Sequence, residues 1–89
     1  MDSKTYHFFL ATPEGVVFDD LIYSLIAPGM MGYLEVLSHH APLISLLKPG
    51  KLVIKDSHRK TFNWDLNDGY LEVSSNQAII LTSATSLCR

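Results

Sequence analysis

Punctuation constrains this chain more than any other feature. Strong turn formers recur along it: Pro13-Glu14-Gly15, Pro28-Gly29, the 39–42 stretch ending in Pro42, Lys48-Pro49-Gly50, residues 56–59, Asn67-Asp68-Gly69 and residues 74–77. Between them lie short apolar or alternating runs, none of which holds a sustained 3.6-residue apolar period, so no long helix is expected. Turns at a spacing of roughly 8–12 residues, separating short extended runs, predict an all-β sandwich or barrel. With 89 residues, and without a repeat, low-complexity tract or linker, residues 1–89 read as a single domain.

Residue by residue, 6–10 is aromatic-rich and strand-like, and 16–18 resumes an extended run after the Pro13–Gly15 turn. Residues 20–27 place Leu21, Tyr23 and Leu25 on one side and Ile22, Ser24 and Ile26 on the other, so both faces are expected to be partly buried. Pro28-Gly29 is expected to break that strand. Residues 33–37 and 43–47 are the next extended stretches. The pairs 51–55/60–66 and 70–73/78–82 read as β-hairpins, and Gly69 is expected to supply the freedom for the turn before residue 70.

Composition narrows the function. The chain carries 7 basic and 9 acidic side chains, a formal net charge of -2. That balance argues against nucleic acid, whose binding relies on Lys and Arg neutralising phosphates, and against a polybasic membrane anchor. One cysteine, Cys88, allows no internal disulfide and suits a reducing compartment. Residues 1–5 are polar and do not read as a leader. No run approaches the roughly 18 apolar residues of a membrane span, so membrane association is expected only through a partner.

Candidate chemistry is sparse. His39-His40 are adjacent, and neighbours on an extended chain point to opposite faces; with no Cys/His spacing to complete a set, they read as structural or interface residues. Ser38, His40 and Asp19 supply the residue types of a triad without a nucleophile-elbow motif. Gly29-Met30-Met31-Gly32 resembles a G-x-x-G phosphate clamp but lacks its helices and basic flanks. Phe62, Trp64 and Tyr70 read as core rather than as a base-stacking platform. Glu14, Asp19 and Asp20 read as solvated turn charges, and Cys88 as a frayed, idle thiol. No catalytic residue, cofactor, metal or small-molecule substrate is expected. Met30, Met31 and Tyr33 are different: apolar side chains in a turn signal a contact surface unless they fold back onto the sandwich.

Five short motifs in order are more specific than the fold class. They are Thr12-Pro13-Glu14 with Val17-Phe18; Pro28-Gly29 with Gly32, Leu34, Val36 and Leu37; His40-Ala41-Pro42-Leu43; Leu47-Lys48-Pro49-Gly50; and Gly69-Tyr70-Leu71-Glu72-Val73 with Asn76. Over residues 6–85 they resemble the N-terminal domain of the F-type ATP synthase epsilon subunit, called delta in mitochondria. The resemblance implies a flattened antiparallel β-sandwich of about ten short strands, working as a non-catalytic central-stalk subunit of the rotor. It implies contact with the c-ring through Gly29, Met30, Met31, Gly32 and Tyr33. Contact with the gamma subunit is implied through His39, His40, Ala41, Pro42 and Leu43. It also implies a peripheral location at the cytoplasmic face of the inner membrane. Family members often carry an acidic residue where this hairpin has Met31 or Tyr33, so an apolar contact is expected instead. They usually continue into a C-terminal helical pair carrying an inhibitory arm and, in some bacteria, an ATP-binding motif; this sequence stops at Arg89, so neither is expected here. The competing reading is a free-standing β-sandwich that binds another protein or a sugar; a small enzyme ranks last for want of converging polar groups.

Overall fold

The computed structural model describes residues 4–88; Met1–Ser3, part of the stretch read as leader-free, and Arg89 lie outside them. The described residues form nine strands and no helix: β1 (Tyr6–Thr12), β2 (Gly15–Gly29), β3 (Gly32–Leu37), β4 (Leu43–Leu47), β5 (Gly50–Asp56), β6 (Thr61–Leu66), β7 (Gly69–Ser74), β8 (Gln77–Thr82) and β9 (Thr85–Leu87). The fold is an all-β sandwich.

The long strand β2 belongs to both layers. Its first half pairs with β1, which leads on through β8 and β7 to β4; its second half lies between β3 and β5, and β5 leads on through β6 to β9. All pairings are antiparallel except β1–β8, which runs parallel. The two layers meet again where Gly29 of β2 pairs with Leu47 of β4.

Two expectations about β2 are corrected. Residues 16–18 and 20–27 are one 15-residue strand, because Asp19 and Asp20 stay in the ladder opposite Phe9 and Phe8 rather than forming a turn. The fusion removes one of the extended runs read in the sequence, and Thr85–Leu87, not read as a strand, adds one as β9. The strand also runs through Pro28-Gly29: Pro28 is buried, pairs with Tyr33, and accepts a 2.9 Å bond from the Lys48 N–H at its carbonyl. Proline is tolerated there because it sits at the strand end, where a missing N–H disrupts little of the ladder.

Simple alternation along β2 fails as well. Ile22 pairs with Asp56 and Ser24 with Lys55, so Tyr23 is an extra residue, a β-bulge. The bulge resets the phase of the strand. Ile22, Leu25 and Ala27 all therefore face inward and are fully buried.

The core lies between the layers: Tyr6, Phe8 and Leu10 of β1, Leu52 and Ile54 of β5, Leu71 of β7 and Ile80 of β8 join that β2 set. Phe8 and Phe18 rings pack at 5.8 Å, a favourable aromatic separation. Trp64 belongs to this core and Phe62 packs on it, but Tyr70 does not; it is exposed on the outer side of β7.

Candidate functional site

Three features build the candidate surface. The first is the β2–β3 hairpin. Gly29 pairs with Gly32, leaving Met30 and Met31 as a two-residue turn. Gly32 holds φ +130, a region that side-chain-bearing residues avoid. A Cβ on Gly29 would lie 2.7 Å from the Gly32 carbonyl oxygen and 2.8 Å from Leu34 Cδ2. Both glycines are thus needed to close the turn tightly, and closure drives the methionines outward. Met31 is 101% exposed, with Met30 and Tyr33 more than half exposed. Met30 and Met31 project from the body, while the Tyr33 ring leans back over β5, its hydroxyl accepting from the Lys51 N–H at 3.4 Å.

The second feature is the loop from β3 to β4. His39 takes φ 62, and its N–H donates to the Asn76 side-chain oxygen at 2.6 Å. Asn76, itself at φ 56 in the β7–β8 turn, donates to the Thr5 carbonyl at 3.4 Å. One amide thus ties the loop, the last hairpin and the entry to β1 together. The His40 ring donates to the Ala41 carbonyl at 2.7 Å. His39, Ala41 and Pro42 are exposed, whereas Leu43 is half-buried against the core.

The third feature was not found in the sequence reading. Pairing places Leu46, Tyr70 and Leu81 in one cross-strand row and Ile44, Glu72 and Ile79 in the next. Directly paired residues point to the same side of a sheet, and this is the outer side: Ile44 is 74% and Leu46 65% exposed, with Tyr70 and Leu81 also open. The Met30 N–H bonds the Leu46 carbonyl at 2.9 Å. A groove of about 450 Å³, lined by Met30, Leu46, Leu47, Gly69 and Tyr70 among others, joins the hairpin to this face. The apolar surface is therefore continuous from the hairpin tip across β4, β7 and β8. Residues 43–47 read as one apolar run. Only the register shows that Leu43 and Leu47 turn toward the core while Ile44 and Leu46 turn out.

The outer side of the other layer is mixed, with Tyr33 and Leu37 exposed on β3 and charged side chains on β5 and β6. Lys51 pairs with Asp65 across β5 and β6 at 2.9 Å. Cys88 is not frayed: its N–H donates to the Asn63 carbonyl at 2.7 Å, and its thiol lies 3.3 Å from both the Lys51 ammonium and the Asp65 carboxylate. The Asp65 carboxylate, and after it the thiol, hold the Lys51 ammonium above its usual range. Hydrogen bonding from Lys51, then from Cys88, holds Asp65 below the usual carboxylate range. As a solvent-screened pair it contributes little to stability.

The triad residue types do not assemble, since Asp19 pairs with His7 and the His40 ring is turned to its neighbouring carbonyl. Among the described residues, no three His, Cys, Asp or Glu side chains gather at metal-binding distance.

Residues 5–86 match the family model of the ATP synthase delta/epsilon chain, beta-sandwich domain. An ATP synthase epsilon chain of Protochlamydia amoebophila is 42% identical over 79 residues, covering 89% of this chain and 54% of that protein. The Chlorobaculum tepidum epsilon chain is 40% identical over 83 residues, covering 93% of this chain and 94% of that one. This chain thus spans about half the length of the first relative and nearly all of the second. Among solved structures, a chain of the Euglena gracilis mitochondrial ATP synthase OSCP/F1/c-ring assembly superposes with a TM-score of 0.88 at 16% identity, over 98% of this chain and 55% of that one. A chain of the Tetrahymena thermophila ATP synthase central stalk and c-ring gives 0.77 at 18% identity, over 90% and 64%. At those identities the structural likeness speaks for the fold alone. The family match over nearly the whole length, with the Chlorobaculum identity, places this chain in the ATP synthase delta/epsilon family, as its beta-sandwich domain.

Proposed function

We propose that this chain is a non-catalytic central-stalk subunit of an F-type ATP synthase, coupling ion flow through the membrane sector to ATP synthesis in the catalytic sector. Its partners in this reading are the gamma subunit and the c-ring, which hold it peripherally at the cytoplasmic face of the inner membrane. The hairpin at residues 29–33 meets the c-ring, and the 39–43 loop, extended by the outer faces of β4, β7 and β8, meets gamma.

The observation that carries this reading is the continuous apolar surface from Met31 to Leu81 on an otherwise small, polar-rimmed domain. Contiguous exposed apolar area of that kind marks an interaction site on a soluble protein. A stable contact takes about 800 Å² from each partner, which the total surface of 5386 Å² supplies for two partners. Family membership and the named assemblies of the structural neighbours support the same reading. Physically, two hydrogen-bonded layers locked over a packed core resist deformation, which suits a part that transmits torque.

Pull-down of purified gamma subunit and of detergent-solubilised c-ring by the tagged chain tests this. Both are expected to be retained. Failure to retain gamma, under conditions where gamma still assembles with the catalytic subunits, overturns it.

A further inference from the structure

On the outer side of the layer opposite to β4, β7 and β8, a groove of about 440 Å³ opens above β2 between β3 and β5. Its floor is set by register. Ser24 of β2 has Leu37 of β3 on one side and Lys55 of β5 on the other. With strands about 4.8 Å apart, the walls stand about 10 Å from each other, room for one small ligand. Lys4, Lys55 and Arg59 reach it, as do the hydroxyl residues Ser24 and Ser38; Glu35 is its one carboxylate. Three cations against one acid give a local formal charge of +2, in a chain whose net charge is -2.

Arg59 is held in place rather than left to wander. Its backbone sits at φ 65, uncommon for a side-chain-bearing residue, and its N–H donates to the Asp56 carbonyl at 3.0 Å. The Asp56 carboxylate braces the same turn, accepting from the N–H groups of His58 at 2.9 Å and Lys60 at 2.8 Å. The guanidinium lies over the Tyr23 ring, 4.6 Å from its centre. Tyr23 is the bulged residue of β2, so the bulge that resets the core also supplies the platform for Arg59. Among the described residues, neither Lys55 nor Arg59 makes an ion pair. A pre-positioned guanidinium loses little freedom on binding, and its planar fork matches an oxyanion.

We propose that this groove is an anion site for a phosphate group, free or carried as a small monoester. Arg59 and Lys55 take its oxygens, Lys4 stands at the rim, and the two hydroxyls complete the shell. Glu35 limits affinity by its own negative charge. Its Leu37–Ser38 edge adjoins the 39–43 loop proposed above to meet gamma, but anion binding to the isolated chain does not depend on that contact.

The test is a titration of the isotope-labelled chain with inorganic phosphate and with glycerol phosphate, followed by amide NMR against sodium chloride at matched ionic strength. Saturable shifts are expected at residues 23–24, 37–38 and 55–59. Lys55→Gln and Arg59→Asn (asparagine tolerates the backbone angle) are each expected to weaken binding about tenfold. Glu35→Gln is expected to tighten it about threefold, and Lys48→Gln, outside the groove, to leave it unchanged. Unaltered melting curves establish that the variants are folded. Shifts that chloride reproduces, shifts that survive in the Lys55→Gln/Arg59→Asn double variant, or an acidic peptide that binds the groove where phosphate does not, would each overturn the proposal.

Discussion

Two residues show how single atoms set the terms of this fold. The Tyr6 hydroxyl donates to the Val36 carbonyl at 2.6 Å from within the core. Burial, chiefly, pushes its pKa above the ordinary tyrosine range; a bond with the Leu25 backbone opposes this and the Glu35 charge adds to it. Below pH about 10 the phenol is protonated in both the folded and unfolded chain and contributes no pH dependence. Above that, the unfolded chain loses the proton first, so stability falls by up to about 1.4 kcal/mol per pH unit. Tyr6→Phe removes a buried hydrogen bond and is expected to lower stability by about 1 kcal/mol at pH 7. It also removes this alkaline slope, so the gap to the parent should narrow between pH 10 and 11. Urea titrations at pH 7, 10 and 11 check this; a gap that stays constant contradicts the assignment. Gly69 is the second case. A Cβ there would lie 2.1 Å from the Leu81 carbonyl oxygen and 2.8 Å from Thr82 Cα, both backbone atoms of the paired strand. The sequence pointed to this glycine as a source of turn freedom, but its φ is not positive, and close approach of β8 is what excludes a side chain. Gly69→Ala should cost about 3 kcal/mol, read as a lower urea midpoint with an unchanged slope.

At the scale of elements, the bulge in β2 is the device on which the rest turns. With Tyr23 counted in a regular ladder, Ile22 and Leu25 would face opposite sides, because the side-chain period of a strand is two; as an extra residue it leaves them in phase. Deleting Tyr23 takes out the extra residue, so Ile22 and Leu25 stay on one face two steps apart in a regular ladder, and the burial of Ile22, Leu25 and Ala27 should be kept. Tyr23→Ala keeps the residue count and the register, and forfeits the Arg59 stacking, about 0.5–1 kcal/mol at an exposed site. Denaturant titration that found the deletion at least about 2–3 kcal/mol less stable than Tyr23→Ala, the burial of one flipped apolar side chain, would mean that Tyr23 is not the extra residue. Much of the element map was legible beforehand: the 51–55/60–66 and 70–73/78–82 hairpins are β5–β6 and β7–β8, and the turn formers stand where strands end. Pro28-Gly29 misled because a turn signal marks where a strand can end, and the reversal came two residues later. The outward row of Ile44 and Leu46 was hidden for a related reason. A continuous apolar run carries no phase, and only cross-strand partners assign its faces.

At the scale of the molecule, the apolar tip and the 39–43 loop stand at opposite ends of the β2–β3 ladder. That ladder runs from Ser24–Leu37 to Gly29–Gly32, five residue steps or about 17 Å, in a body measuring 34 × 27 × 22 Å. The sequence motifs marked both ends but left open how they are joined. The structure joins them through the outer faces of β4, β7 and β8, over a core that leaves little room for one end to adjust to the other. Two docking ends on a stiff body should fail independently. Met30→Ser/Met31→Ser removes apolar area only at the tip and should weaken retention of the c-ring while leaving gamma binding and the melting temperature unchanged. Ile44→Glu puts a charge on the exposed face and should weaken gamma binding by about tenfold or more, with c-ring retention preserved, because burying an unpaired carboxylate is costly. The combined variant should show the sum of the two losses, as for sites more than about 7–10 Å apart without shared partners. Equal loss of both partners from the tip variant alone, at unaltered stability, would mean that gamma and the c-ring share one surface on this chain, and the division of its two ends would have to be abandoned.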